Sequence, residues 1–464
     1  MRLLSRYSKI LVGMIALTSL YSLVVTPPFQ SPDEADHFKR IVQLGSGHAA
    51  VMTPPGETSG NFLDKSVMKV IEPFSHLPHR QEQRVDKSHF ERAYQAGKLS
   101  GETEFVSFPG SLSYAPWSYP GQVIGYVASS IFTDNMLLRF YASRLGALAL
   151  ALVLLCVALR LMPVERWPLL SLVLITAPFA TFQMGAAVPD ALLVPGTLLF
   201  CVGCAAFREG RVRPSVLMGL SVVLFFIIGS KPPMAVFFIL LLATLLETPQ
   251  RIFDRARLRV WGFALFLIVL TLLWFVYALP QMQDLRYERT AAVAQKLKMD
   301  EVLKEPFYYG FLGLQRFIER FWGYYSSLYG QLGSLDAGIP KIHTVVGRAL
   351  FLWGLFVSLI PLAIRRLRLS KTHTNLVDSL ILPVGGAYVV GVMIAIYLGW
   401  SLVGPEHMGD GVQGRYFYPL FALPLFASLG ALNTNIAWRV FFWLAILNAP
   451  LAVTVTLARR YYGS

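Results

Sequence analysis

The sequence predicts an all-α polytopic membrane protein, on three observations. Apolar runs near twenty residues recur along the chain, acidic residues are scarce, and basic residues fall in short clusters between the runs. Hydrophobic residues make up 55% of the chain and charged residues 15%, with a mean hydropathy of +0.53. A typical soluble domain carries roughly 25% charged residues.

A hydrocarbon layer of roughly 30 Å needs about 20 helical residues. Candidate spans fall at about 8–26, 139–161, 167–186, 190–207, 215–230, 233–248, 260–279, 345–363, 377–398, 416–432 and 437–457, eleven in all. Segment 114–133 is broken by Pro116, Pro120, Gly121 and Gly125, and Ser118, Tyr119 and Gln122 leave it only half apolar. It reads as a juxtamembrane or re-entrant helix. The first 26 residues have a basic start and an apolar core without a small-residue cleavage site, the pattern of a retained signal anchor.

Short cytoplasmic connections are enriched in Lys and Arg. Arg2, Arg6 and Lys9 precede the first span; later clusters are Arg160 with Arg166, Arg208 with Arg211 and Arg213, Arg251 to Arg259, and Arg365 to Lys371, with Arg439 last. With 114–133 outside the membrane, all of these clusters face the cytoplasm, while Arg459 and Arg460 at the C-terminus would lie outside, against the rule. The expected setting is a multi-pass membrane protein with a cytoplasmic N-terminus. The net charge of +14 is then a topology signal; it is dispersed over short turns, without the reading helix or zinc spacing of a nucleic-acid binder. Cys156, Cys201 and Cys204 sit in or beside apolar spans, which argues against a disulfide framework and favours packed thiols over a metal pair.

The whole of 1–464 reads as one transmembrane domain with two large outer segments, 27–138 and 280–349. The first opens on Ser31-Pro32-Asp33-Glu34-Ala35-Asp36-His37-Phe38. Ser31 suits an N-cap, Pro32 the first helical position, and Glu34, three residues after the cap, completes a capping box. Asp33, Asp36, His37 and Arg40 then share one helical face. The polar stretch 45–113 is long enough without regular structure to suggest a lid or binding surface. In the second segment an amphipathic helix is expected near 291–305, followed by Phe321-Trp322-Gly323-Tyr324-Tyr325. Those aromatics suit headgroup anchoring, with a sugar-stacking platform or an isoprenoid groove as alternatives.

The topology brings Asp33, Glu34, Asp36, His37, Asp190, Lys231 and Gln413-Gly414-Arg415-Tyr416 to one side of the bilayer. Burying ionised groups there is costly unless they pair or line a wet cavity. A carboxylate can take the proton of a sugar hydroxyl, and Arg or Lys can stabilise a departing phosphate. Nucleotide-activated sugars are absent outside the cytoplasm, so a lipid-linked sugar phosphate is the natural donor. Asp33 is the candidate base and Glu34 an alternative, each with a helix-terminus role as its plainer explanation. Arg415 and Lys231 are candidate phosphate ligands, with Gln413, Tyr416, His37 and Asp190 beside them. Asp33, Asp36 and His37 could also hold a divalent cation such as Mg or Mn, a weak signal at this spacing.

Pro32-Asp33-Glu34-Ala35-Asp36-His37-Phe38 resembles the Pro-Asp-Glu-Pro-x-His-Phe signature of the bacterial multispanning family labelled domain-of-unknown-function family 2142. Gly411-Val412-Gln413-Gly414-Arg415-Tyr416-Phe417-Tyr418-Pro419 is similar to that family's closing signature, with Tyr114 to Gly125, Arg144, Pro189-Asp190-Ala191-Leu192 and Lys231-Pro232-Pro233 in the expected order between them. Ala35 stands where the family has Pro, and Val188 where Ser often precedes Pro-Asp. The family is similar to the GT-C superfamily of membrane glycosyltransferases, whose catalytic base follows the first span. The resemblance implies a bacterial cytoplasmic membrane as the setting and a GT-C-like fold, and marks Asp33 first and Glu34 second, with Arg415 and Lys231 for the lipid phosphate; it leaves metal dependence open. The expected activity is inverting transfer of a sugar from a polyprenyl-phosphate donor to an extracytoplasmic glycan or lipid-linked acceptor. A polymerase or ligase using diphosphate-linked donors and a lipid or solute transporter are the rivals.

Overall fold

The computed structural model describes residues 4–162, 172, 174–247, 255–290, 292–369, 376–426 and 436–463. The chain is mostly α-helical and crosses the membrane several times. Among the described residues six helices are long and apolar enough to span: Arg6–Val25, Met136–Leu161, Pro189–Arg208, Arg255–Gln281, Leu376–Gly399 and Arg439–Tyr462.

Six helices meet that criterion among the described residues where eleven spans are expected, and the difference has local causes. Segments 215–230 and 233–248 form shorter apolar helices, Ser215–Ile228 and Phe237–Glu247, separated at Lys231-Pro232-Pro233. Segment 416–432 is broken by prolines into the turns Gly414–Phe417, Tyr418–Ala422 and Leu423–Phe426; its remainder, 427–432, lies outside the described residues. Segment 345–363 belongs to the 29-residue helix Lys341–Leu369, which is not among the six. Most of the first half of 167–186 also lies outside the described residues, and its far end is the seven-residue helix Pro178–Met184. Helix Pro120–Ser129 has ten residues, about 15 Å at 1.5 Å per residue, too short to cross.

Helix Pro189–Arg208 is the axis of the bundle, with 94% of its apolar window buried, whereas Arg255–Gln281 buries only 22% and faces lipid. Glycine sets one close contact beside it: a Cβ on Gly125 would meet the Ala142 carbonyl oxygen at 2.1 Å, so Pro120–Ser129 lies flush on Met136–Leu161. At one end of the axis Arg208 pairs with Glu247 (2.8 Å) and Asp378 (3.1 Å) and donates to the Phe426 carbonyl, tying three helix ends together. Asp190 is at the other end, about 27 Å away at helical rise.

The stretch 45–113 is folded rather than loose. Strands Gly60–Asp64 and Thr103–Ser107 pair antiparallel, with Gly60 opposite Ser107, and helices Ser66–Ile71 and Lys87–Ala96 lie between them. Segment 280–349 contains helix Ala292–Lys304 at the expected place, though without the expected amphipathic face, followed by Pro306–Glu319, which is amphipathic, Phe321–Gly330 and a short antiparallel pair, Gln331–Leu332 with Ala337–Gly338.

Arg460, expected on the outer side against the basic-residue rule, is a buried structural cation. It pairs with Asp336 at 2.7 Å, both side chains 4% exposed, and donates to the carbonyls of Leu77 and Gln83. The C-terminal helix is thereby anchored to both of the long segments 27–138 and 280–349.

Candidate functional site

The first acid of the cluster sits on a turn. Glu34 N–H donates to the Ser31 carbonyl (3.1 Å) and His37 N–H to the Asp33 carbonyl (3.0 Å), so helix Glu34–Gly45 starts with Asp33 as its N-cap. Asp33 has φ 59° and ψ 12°, a left-handed conformation that Asp tolerates better than most residues. Its side chain is 74% exposed. The predicted cap at Ser31 is therefore displaced by two residues. Half of the capping box survives, since Glu34 Oε2 accepts from the Ser31 N–H at 3.3 Å, but the Ser31 hydroxyl accepts from Gln183 Nε2 instead.

Glu34 is withdrawn into the protein. Arg144 binds it with Nε to Oε1 (2.9 Å) and Nη2 to Oε2 (2.7 Å), and the Ala187 N–H adds a third bond at 2.8 Å. The guanidinium also donates to the carbonyls of Leu23, Thr26 and Pro27. Neither side chain of this pair is more than 1% exposed. The pair fixes the exit of the first span against helix Met136–Leu161 and aims Asp33 outward.

Asp33, Asp190, Lys231 and Arg415 meet. Lys231 Nζ lies 2.8 Å from Asp190 Oδ1, Arg415 Nε 3.7 Å from Asp190 Oδ2, and Arg415 Nη2 3.8 Å from Asp33 Oδ2. Asp190 starts the bundle axis on the turn Pro189–Leu192, and Gln122 Nε2 holds that turn through the Val188 carbonyl at 2.7 Å. Lys231 occupies the break before Pro232, with its ammonium 4.9 Å from the Tyr416 ring centre and 5.9 Å from that of Tyr114. The Arg415 guanidinium lies between Phe179 (5.8 Å) and Tyr416 (5.3 Å). Gly414 is required for this seat: a Cβ there would meet the Tyr324 carbonyl oxygen at 2.0 Å. The Gln413 Oε1 and Arg415 Nε are buried without a hydrogen-bond partner. Two carboxylates balance two cations, and the exposed member is a carboxylate.

Burial works against the charge on both cations. For Lys231 the neighbouring Asp190 carboxylate and the Tyr114 and Tyr416 rings outweigh it, so its pKa stands above the usual lysine range. Arg415 is likewise raised, by Tyr416, Asp190 and Asp33. Both stay protonated at any physiological pH.

His37 and Asp36 do not join the quartet through hydrogen bonds. His37 is buried, with Nδ1 2.8 Å from the Tyr119 hydroxyl. Burial holds its pKa below the ordinary value, with Lys231 adding to that and Asp33, Asp190 and Asp36 partly offsetting it. Asp36 pairs with Lys39 (3.1 Å) and Arg286 (3.2 Å). Among the described residues no group of three His, Cys, Asp or Glu is disposed to hold a metal ion, and Asp33, Asp36 and His37 form no such set. Arg40, expected on the same face, is buried and donates to Gln43, Ala49 and Tyr114.

The folded pKa of His37 lies below the unfolded value of about 6.5, so the unfolded chain binds the extra proton. Stability should hold above about pH 6.5 and fall as pH drops below it. Thermal unfolding of the parent and His37→Gln in detergent should give a gap that changes with pH between 5.5 and 8; a constant gap contradicts a buried neutral imidazole.

The aromatic run Phe321 to Tyr325 mostly packs inward. Tyr324 and Tyr325 are buried and only Trp322 projects, 64% exposed. Tyr324 and Phe317 lie 5.1 and 4.7 Å from Phe417 by ring centres, so the run braces the turn that carries Arg415. Sequence reasoning did not find this role, nor that of Arg144, whose partner is 110 positions away.

A family model described as "Predicted membrane protein (DUF2142)" matches residues 17–424, and the chain belongs to that family. No curated protein and no solved structure matches the chain.

Proposed function

We propose that this DUF2142 member is a glycosyltransferase that moves a sugar from a polyprenyl-phosphate donor to an acceptor at the outer membrane face. Asp33 is the base, and Lys231 and Arg415 hold the phosphate. The observation that carries the reading is an exposed carboxylate within 3.8 Å of a buried arginine, which shares a second carboxylate with a half-buried lysine. The position of the acid after the first span, as in GT-C enzymes, supports it.

Chemically, the acceptor hydroxyl oxygen attacks the anomeric carbon and its proton passes to Asp33. The bond from that carbon to the phosphate oxygen breaks, and its electron pair leaves with the phosphate. The charge gained there falls beside Lys231 and Arg415, fixed cations in a site of low dielectric. A single displacement inverts the anomeric centre. Asp190 sets the spacing of the two cations. Glu34, whose oxygens are engaged by Arg144 and two backbone N–H groups, is assigned to the scaffold.

The charge balance favours a monophosphate-linked donor over a diphosphate, since both cations already face Asp190. Polar residues at helix ends rather than at mid-membrane depth weigh against transport. The test is full-length protein in vesicles with a labelled polyprenyl-phosphate hexose and an acceptor extract. Label should enter the acceptor, with polyprenyl phosphate competing better than the diphosphate. Equal or stronger competition by the diphosphate contradicts the donor assignment, and movement of label without covalent change contradicts the enzyme.

A further inference from the structure

We propose that Tyr287, Arg289 and Trp400 form a platform for a ring of an anionic saccharide, the acceptor in the transfer reaction; this rests on the function proposed above. The three residues come from two segments that meet on the outer rim. The Arg289 guanidinium carbon lies 4.1 Å from the Trp400 ring centre and 5.0 Å from that of Tyr287, and the two rings meet edge to face at 5.5 Å. Tyr287 is 46% and Trp400 38% exposed. Rings open to water beside a polar group offer an apolar face for the C–H side of a sugar and a polar edge for its hydroxyls.

The charge of the platform specifies an anion. Arg289 has no ion pair among the described residues, and its Nε is buried without a hydrogen-bond partner. Asp284 is committed to Arg286 (3.0 Å), Asp410 to Arg320 (3.0 Å) and His407 (3.0 Å), and Glu301 to the hydroxyls of Tyr309 and Tyr397, while the exposed Glu288 makes no ion pair with Arg289. Beneath the platform Lys298 is fully buried, donating to the carbonyls of Arg289 and Ser401. Burial, with the Arg289 charge adding to it, brings the Lys298 ammonium down to about 8. Two cations without facing acids create a local positive field that a carboxylate or phosphate on a sugar neutralises. Interfacial anchoring accounts for the tryptophan, but not for an arginine laid on its face without an acid.

The platform is also placed for the reaction. Arg286, next to Tyr287, reaches Asp36 at 3.2 Å, and Asp36 follows Asp33 by three residues, just under one helical turn. Gly411 has φ +78°, and a Cβ there would meet Trp400 Cδ1 at 2.3 Å, so the indole lies against the loop leading to Gln413 and Arg415.

The test uses full-length protein in lipid nanodiscs, titrated by calorimetry with trigalacturonate and with maltotriose as the uncharged control. Trigalacturonate should bind about tenfold more tightly than maltotriose, a preference of the size one charge-assisted hydrogen bond supplies. Arg289→Gln should erase the preference, Trp400→Ala should weaken both probes, and Trp400→Phe should retain binding, all with unchanged melting temperatures. Undetectable binding of both probes, equal binding, or a preference that survives Arg289→Gln overturns the platform. Neither probe carries a prenyl phosphate. Failed sugar transfer with this binding intact therefore counts against the transfer reading alone, and transfer that keeps its acceptor KM in Arg289→Gln and Trp400→Ala counts against the platform alone.

Discussion

Asp33→Asn is expected to lower sugar transfer by about 100- to 10,000-fold, the range a general base supplies. Asparagine matches the carboxylate in shape and is among the few residues that adopt a left-handed conformation readily, so the turn at φ 59° is retained. Arg415 keeps Asp190 as a partner. Donor affinity should stay the same or rise, because one negative charge beside the phosphate is removed. The decisive readout is this split between turnover and binding, with the melting temperature unchanged. Turnover within a few-fold of the parent removes Asp33 from the chemistry.

Glu34→Ala, one residue on, should act on the fold. It leaves the Arg144 guanidinium, 1% exposed, without a counter-ion. Removing one member of a buried pair costs about 3–5 kcal/mol, a large share of the stability of a typical domain. Detergent-solubilised Glu34→Ala should melt well below the parent, or fail to accumulate. Glu34→Met with Arg144→Met should recover part of the loss and no more, because the carbonyls of Leu23, Thr26 and Pro27 still lose their donor. A single variant that melts with the parent sinks the scaffold assignment and returns Glu34 to the catalytic candidates.

These adjacent acids mark how far the sequence could be read. Two sequence motifs at opposite ends of the chain, with Asp190 and Lys231 between them, announced a shared polar site, and Asp33 and Arg415 do meet. What separates Asp33 from Glu34 is long-range: Arg144, Gln183 and Ala187 draw Glu34 inward and move the cap from Ser31 to Asp33. Hydropathy measured the apolar mass of the bundle but not where its helices break, since Pro419 and Pro424 divide an apolar run into short turns. Charge counting left Arg460 unexplained for a similar reason. Its partner Asp336 lies 124 positions away, and a buried pair leaves no signal in local composition.

The account turns on whether the quartet of Asp33, Asp190, Lys231 and Arg415 is a phosphate site beside a base. The most direct measurement is a structure of the full-length chain with a polyprenyl phosphate bound. The phosphate should lie between the Lys231 ammonium and the Arg415 guanidinium, with the Asp33 carboxylate facing the outer solution beside it. A phosphate held elsewhere, or Asp33 turned away from it by the width of the bilayer, contradicts the account.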